Sequence, residues 1–380
     1  MNTIYLDHAA TSPVAPEVID VFARALAEVS GNASSIHTEG RLARKALDEA
    51  RATLAKKINA KPTEIIFTSG GTEADNTAIL GTAYARQQEG KHIITSQIEH
   101  HAVLHACEKL EREGFEVTYL PVDKQGRVSV EDVQNALRDD TILVTIMYGN
   151  NEVGTIQPIA EIGALLQNHQ ATFHTDAVQA FGLETIDVKA MHIDLLSVSS
   201  HKINGPKGIG FLYVKQGVKV ANFMLGGAQE KKRRAGTENV PAAVAFAKAA
   251  EISTQHAEER KEKYNGYKAI LVEEFEKAQV TFQVNGHETQ SLAHVLNVTF
   301  PGTNVESFLI NLDMAGVLVS SGSACTAGSI DPSHVLVAMF GADAPELRSS
   351  IRFSFGVGLS DELVREAGKR TAQIVKRLVQ

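Results

Sequence analysis

Between Glu64 and Val214 short runs of apolar, β-branched residues recur, and helical patterns fall between most of them. The runs are Glu64–Thr68, His92–Ser96, Glu116–Pro121, Thr141–Met147, Thr172–Asp176, Leu195–Ser199 and Gly210–Val214. Helical patterns cover Arg41–Asn59, Asp75–Gln88, Ala102–Glu113 and Ile159–Asn168. This alternation builds βαβ units, because parallel neighbours need a long crossover and a helix supplies it. A short Gly/Pro stretch joins the last two runs. It is too short for a helical crossover, so one antiparallel strand is expected. The fold class is therefore α/β, with a mostly parallel seven-stranded sheet. In such sheets ligands bind at the carboxyl ends of the strands.

Beyond about Val240 the texture changes. Ala242–Ala250 is alanine-rich and Glu258–Lys263 is dense in charge, which predicts one long, partly exposed helix. Fewer strands follow, at Thr281–Val284, His294–Phe300, Val317–Ser320 and Ser350–Phe355. The final helix, Asp361–Leu378, opens behind Ser360 with acidic residues in its first turn. The expected division is a large domain over 15–255 and a small α+β domain made of 1–14 with 256–380.

Composition narrows the function. Lys+Arg 37 against Asp+Glu 45 leaves a net charge of −8, which gives no general grip on nucleic acid or an anionic membrane. Cys107 and Cys325 are the chain's 2 cysteines, too few for a four-cysteine metal site or a disulfide framework. No metal site is expected. The N-terminus shows no signal-peptide pattern and no stretch is apolar enough to span a membrane, so the expected location is the cytoplasm.

Three strand ends carry chemistry. Thr68-Ser69-Gly70-Gly71-Thr72 ends a strand and opens a helix. Such a turn offers backbone N–H groups and a hydroxyl to a phosphate, though it is equally a plain βα turn. It is not a P-loop, so ATP hydrolysis is disfavoured. Asp176 closes a second run, and Lys202 follows a third within Ser199-Ser200-His201-Lys202. A carboxylate that keeps a pyridine nitrogen protonated and a lysine that forms a Schiff base suit pyridoxal phosphate. Either residue alone reads as a cap or a surface lysine; the cup, the aspartate and the lysine in this order favour the cofactor.

Several segments, in order along almost the whole chain, resemble the pyridoxal-phosphate cysteine desulfurases of the NifS/IscS type, which belong to the class V aminotransferases of fold-type I. They include Tyr5-Leu6-Asp7-His8-Ala9-Ala10-Thr11, the cup, Ile98-Glu99-His100, Asn150-Asn151-Glu152-Val153-Gly154, Asp176–Gln179, Ser199–Lys202, Arg234-Ala235-Gly236-Thr237, Ser320-Ser321-Gly322-Ser323-Ala324-Cys325 and Ser350-Ile351-Arg352. The Ser-Gly-Ser-Ala-Cys context is the most specific, and resembles the class with its cysteine on a long loop.

The resemblance implies the following roles. Lys202 attaches pyridoxal 5'-phosphate and handles the substrate Cα proton. Asp176 pairs with the ring nitrogen, Gln179 donates to the phenolate oxygen, and His100 stacks on the ring and takes a catalytic part by shuttling protons. Thr72, Ser199 and His201 bind phosphate beside the Gly71 turn, and Thr237 completes that site from the other subunit of a homodimer. Asn151 and Arg352 hold the substrate carboxylate, Arg352 by a bidentate fork. Cys325 takes sulfur from L-cysteine as a persulfide, leaving L-alanine, and passes it to an acceptor protein. That acceptor is expected to be an iron–sulfur scaffold or a tRNA-thiolation enzyme. The chain lacks the longer tail some members use for scaffold docking, which tilts the expectation toward the second. Selenocysteine lyase or aminotransferase activity on the same fold, or a mainly scaffolding role, are the alternatives.

Other conspicuous residues have plainer readings. Cys107 shares a helical face with Val103, Leu104 and Leu110 and is expected to be buried packing. His101 and His105 are expected to be solvated or capping, and Lys231-Lys232-Arg233-Arg234 to be a solvated loop.

Overall fold

A computed structural model describes residues 3–321, 325, 326, 329, 330 and 332–379, with the backbone alone at 325, 326, 329 and 330. The chain opens with strand β1 (Ile4–Tyr5). It continues into β2 (Ile65–Thr68), β3 (His92–Ser96), β4 (Glu116–Leu120), β5 (Thr141–Thr145), β6 (Thr172–Asp176), β7 (Leu195–Ser199) and β8 (Gly210–Val214). β2 to β8 form one seven-stranded sheet in the order β2-β8-β7-β6-β5-β3-β4. β8 runs antiparallel to both of its neighbours, β2 and β7, and the other pairings are parallel. The short β7–β8 link thus forces the one reversed strand, as expected.

The central strands β5, β6 and β7 are buried along their whole length, as strands covered on both faces must be. Helix Gly71–Arg86 packs on one face, against β5, β6, β7 and β8. On the far side, helices Pro16–Glu28 and Thr38–Lys56 pack against Val240–Gln255. The core there includes Leu47, Leu54, Phe173, Phe181, Phe211 and Phe246. Helix Thr38–Lys56 starts three residues before the expected Arg41 because His37 caps it, its Nδ1 accepting from Gly40 N at 3.3 Å. It ends early because Asn59 takes φ 57°, outside the helical well.

The alanine-rich and charged segments do not make one helix. Val240–Gln255 and Ala257–Lys277 are separate, with His256 at φ −107°, ψ 17° between them. The first is largely buried. The second restarts with Glu258 and Glu259 in its first turn, where acids favour a helix N-terminus. Periodicity alone could not place that break, since both halves are good helix formers.

The remaining strands are β9 (Gln283–Asn285), β10 (Val295–Thr299), β11 (Val317–Leu318), β12 (Cys325–Thr326), β13 (Ser329–Ile330) and β14 (Ser350–Ser354). β9, β10 and β14 form a three-stranded antiparallel sheet, and β1 pairs in parallel with β11. A second core gathers Tyr267, Phe275, Phe300, Phe308 and Phe353, and Ile4 and Leu6 from the N-terminus join it. The final helix spans Asp361–Leu378 as expected, with Ser360 accepting from Leu363 N at 3.3 Å. Among the described residues no helix is long and apolar enough to cross a membrane.

Candidate active site

At the carboxyl ends of β2, β6 and β7 lies a cavity of about 360 Å³. Gly71, Thr72, His100, Asn151, Asp176, Gln179, Ser199, His201, Lys202 and Arg352 all contribute to its wall. Residues far apart in sequence are thus gathered by strand ends that the sheet order sets side by side.

The phosphate-sized corner comes from the start of helix Gly71–Arg86. Its cap residue Gly70 provides no side-chain hydrogen bond, so the first N–H groups have no side-chain cap, and Gly71 and Thr72 line the cavity. Gly71 allows the tight turn: a Cβ there would lie 2.7 Å from Val178 Cγ2. Ser199 and His201 flank this corner, and His201 Nδ1 lies 3.1 Å from Thr11 Oγ1. Burial and the nearby Lys202 lower the His201 pKa to about 4, so the ring is neutral.

Lys202 follows β7 in a short 3-10 turn, and its Nζ donates to Ala9 O at 2.5 Å and Ala10 O at 2.9 Å. Burial first, then Arg352, lowers its pKa to about 8; Asp176 and Asp7 oppose the shift. A substantial neutral amine fraction is therefore present near physiological pH. Asp176 ends β6, and its Oδ1 accepts from Val178 N at 2.9 Å. Burial raises its pKa, opposed by that hydrogen bond and by Lys202. Gln179 donates to Ala9 O at 3.0 Å, while its Oε1 lies 3.1 Å from His294 Nε2. His100 caps helix His101–Arg112, its Nδ1 accepting from Ala102 N at 3.1 Å. Its ring opens on the cavity, and burial followed by the Lys202 charge lowers its pKa to about 4.

Arg352, on β14, brings the second core's sheet to the site. Its Nη1 donates to Asn151 O and its Nη2 to Asp7 Oδ1, each at 2.9 Å, while Nε is buried without a partner. That orphaned donor, on an always-charged group, is suited to a carboxylate arriving from the cavity.

Thr237 is not part of this wall. Cys325 has its backbone in a two-residue ladder, paired with Ile330, rather than in a wholly irregular loop. Its thiol lies outside the described residues. Ser333 donates to the buried Glu152 Oε2 and caps helix His334–Phe340.

Cys107 is fully buried, and burial pushes its thiol well up, as expected for packing. His101 and His105 are exposed and stack at 5.1 Å. The basic run departs from a purely solvated loop. Arg234 forks onto Glu73 at 2.8 and 3.0 Å, next to the phosphate corner. Nothing in the local sequence announces that pairing, because Glu73 lies on a distant helix.

Sequence reading left Asp7 and Asp75 without roles. Asp7 is the partner of Arg352, and Asp75 lines the cavity beside Asp176. Asp75 was within reach of pattern reasoning, since it lies three residues after Thr72 on the same helical face. Among the described residues no cluster of His, Cys, Asp or Glu could hold a metal ion.

The residues fit pyridoxal 5'-phosphate: an uncapped helix N-terminus for the phosphate, Asp176 for the ring nitrogen, and a partly neutral, buried amine at Lys202. A family model described as aminotransferase class-V matches residues 4–366. A Bacillus subtilis protein named putative cysteine desulfurase IscS 1 is 61% identical over 378 residues, covering 100% of both chains. A Methanosarcina thermophila protein named cysteine desulfurase IscS is 49% identical, over 99% of this chain and 93% of the relative. Among solved structures, a NifS-like protein superposes with TM-score 0.92 at 32% identity, over 99% of this chain and 100% of the other. SspA in complex with cysteine superposes with TM-score 0.81 at 38% identity, over 93% and 99%. The chain belongs to the aminotransferase class-V family, in its NifS/IscS-type branch, whose members depend on pyridoxal phosphate.

Proposed function

We propose that this chain is a pyridoxal-phosphate-dependent cysteine desulfurase, converting L-cysteine to L-alanine and leaving the sulfur as a persulfide on Cys325. The observation that carries this reading is one cavity joining Lys202, Asp176 and the uncapped helix at Gly71 to the fork of Arg352. Relatives named cysteine desulfurase and a related structure holding cysteine support the substrate.

The bound cofactor supplies an electron sink that weakens the bonds at the substrate Cα. Arg352 and the Asn151 side orient the substrate carboxylate. Lys202, held by the carbonyls of Ala9 and Ala10, is the group that takes and returns the Cα proton, and its lowered pKa suits it to both tasks. His100, a neutral ring on the cavity wall, would stack on the cofactor and could pass protons there. The Cys325 thiolate attacks the substrate sulfur; the S–S bond forms, the Cβ–S bond breaks, and its electron pair is protonated at carbon to give alanine. No external oxidant is needed.

The reading extends to a homodimer in which Thr237 of a second copy completes the phosphate corner. It extends also to a cytoplasmic sulfur acceptor, an iron–sulfur scaffold or a tRNA-thiolation enzyme. A protein acceptor accords with the −8 charge, which gives this chain no general hold on RNA. We divide the chain into a 15–255 domain and a 1–14 plus 256–380 domain, in keeping with its two main cores.

The test measures alanine and protein-bound persulfide from L-cysteine in the reconstituted protein and its Cys325→Ser variant. The wild type is expected to form both. The variant is expected to keep the cofactor absorbance and lose both products. Undiminished alanine in Cys325→Ser would remove the persulfide route and favour another lyase or transferase reaction on the same cofactor.

A further inference from the structure

Two carboxyl groups share the floor of the cavity. Asp176 is 6% exposed and Asp75 is 1% exposed, and both line it. His174 and Asp176 lie on the same face of β6, two residues apart, and Ser197 lies opposite Asp176 in β7. Asp75 comes down onto that face from helix Gly71–Arg86. Its Oδ1 sits 3.7 Å from His174 Nε2 and has no hydrogen-bond partner. His174 cannot serve as its counter-cation. Its two ring nitrogens already meet Thr145 Oγ1 at 2.8 Å and Ser197 Oγ at 3.0 Å, and complete burial lowers its pKa to about 3.

A buried pair of carboxyl groups without a cation between them does not ionise twice. Asp176 has an N–H donor from Val178 and the nearby Lys202 to stabilise its negative charge. Asp75 has neither an N–H donor nor a cation beside it. Burial first, then the Asp176 charge, push its pKa upward; the Ser197 hydroxyl that hydrogen-bonds it opposes the shift, Glu99 adds to it, and the net shift is well upward. The proton therefore resides on Asp75.

We propose that Asp75 is a positioning residue of the cofactor site, a neutral carboxylic acid whose O–H donates to the Asp176 carboxylate and leaves Asp176 as the single negative charge facing the cofactor nitrogen. This inference rests on the desulfurase reading and deepens it. A protonated aspartic acid differs from an ionised one in a testable way: asparagine, which is neutral and still a donor, replaces it, whereas leucine, of similar size, does not.

The experiment uses the full-length protein reconstituted with pyridoxal phosphate, as wild type, Asp75→Asn and Asp75→Leu. Three readouts are cofactor absorbance, retention of cofactor on dialysis, and the infrared difference between wild type and Asp75→Asn. Asp75→Asn is expected to match wild type in absorbance and retention. Asp75→Leu is expected to release cofactor about tenfold more readily, with a shifted absorbance, as one charge-assisted hydrogen bond is lost. The difference spectrum is expected to contain the carbonyl band of a protonated carboxylic acid at neutral pH. An ionised-carboxylate band in its place, or an Asp75→Asn variant that loses cofactor, overturns the proposal, and this holds even where Asp75→Leu fails to fold. An Asp75→Leu variant that folds and matches wild type also overturns it. A wild type that takes up no cofactor instead overturns the functional reading beneath it.

Discussion

Arg352 is already engaged before any substrate carboxylate reaches it. One arm of its guanidinium is bound by Asp7 and another by the Asn151 carbonyl, which fixes the plane of the fork. A lysine would keep the charge but lose the planar set of donors. Arg352→Lys is therefore expected to raise the KM for L-cysteine about 10- to 100-fold, the effect of one charge-assisted hydrogen bond. The absorbance of bound cofactor should stay unchanged, since Arg352 is not assigned to holding it. Steady-state kinetics beside an absorbance spectrum check this, and an unchanged KM would remove Arg352 from carboxylate binding. Lys202, Asp176 and Arg352 were legible as types in a motif order. Asp7 and Asp75 were not assigned, because their roles come from partners 345 and about 100 residues away.

At the scale of elements, the segment that leads to Thr237 is tied to its own chain by a buried ion pair. Arg51 and Glu230 form two bonds of 2.6 and 2.7 Å, and Glu230 also accepts from Phe67 N at 3.0 Å. Glu230, Lys231 and Lys232 all take left-handed backbone angles, φ 46°, 58° and 66°. Side-chain residues avoid that region unless surrounding contacts impose it. Glu230→Ala would leave Arg51 as an uncompensated buried charge, a loss of about 3–5 kcal/mol. A markedly lower urea midpoint is expected, and an unchanged midpoint would mean that the pair does not hold the segment. This turn was invisible to pattern reading, which saw only four basic residues in a row. The large-sheet strands, by contrast, were legible to within two residues at each end, since short runs rich in β-branched and apolar residues alternate with helical patterns there.

On the scale of the whole molecule, the dimer is the largest element of the proposal that a single chain does not contain. Phe223, Met224 and Leu225 are 47%, 40% and 84% exposed, on the same stretch that leads to Thr237. A contiguous apolar run on the surface is unusual for a lone chain. Mixing Lys202→Ala chains with Thr237→Ala chains is expected to yield dimers with one intact site and to restore part of the alanine production that each variant lacks alone. A 41.0 kDa species in sedimentation, or no restoration on mixing, would argue for sites complete within one chain. By itself the sequence determined the α/β class and the reversed strand, which follow from local periodicity and loop length. Its resemblance to the NifS/IscS-type enzymes pointed to the cofactor and to residues that the structure places around one cavity. Tertiary structure alone decided that helix 240–277 is broken, that Arg234 and Glu230 are anchors rather than solvated charges, and that two aspartates face one cavity. Each of these depends on which distant backbone excludes water from a charge, and burial of that kind is a property of the packed whole.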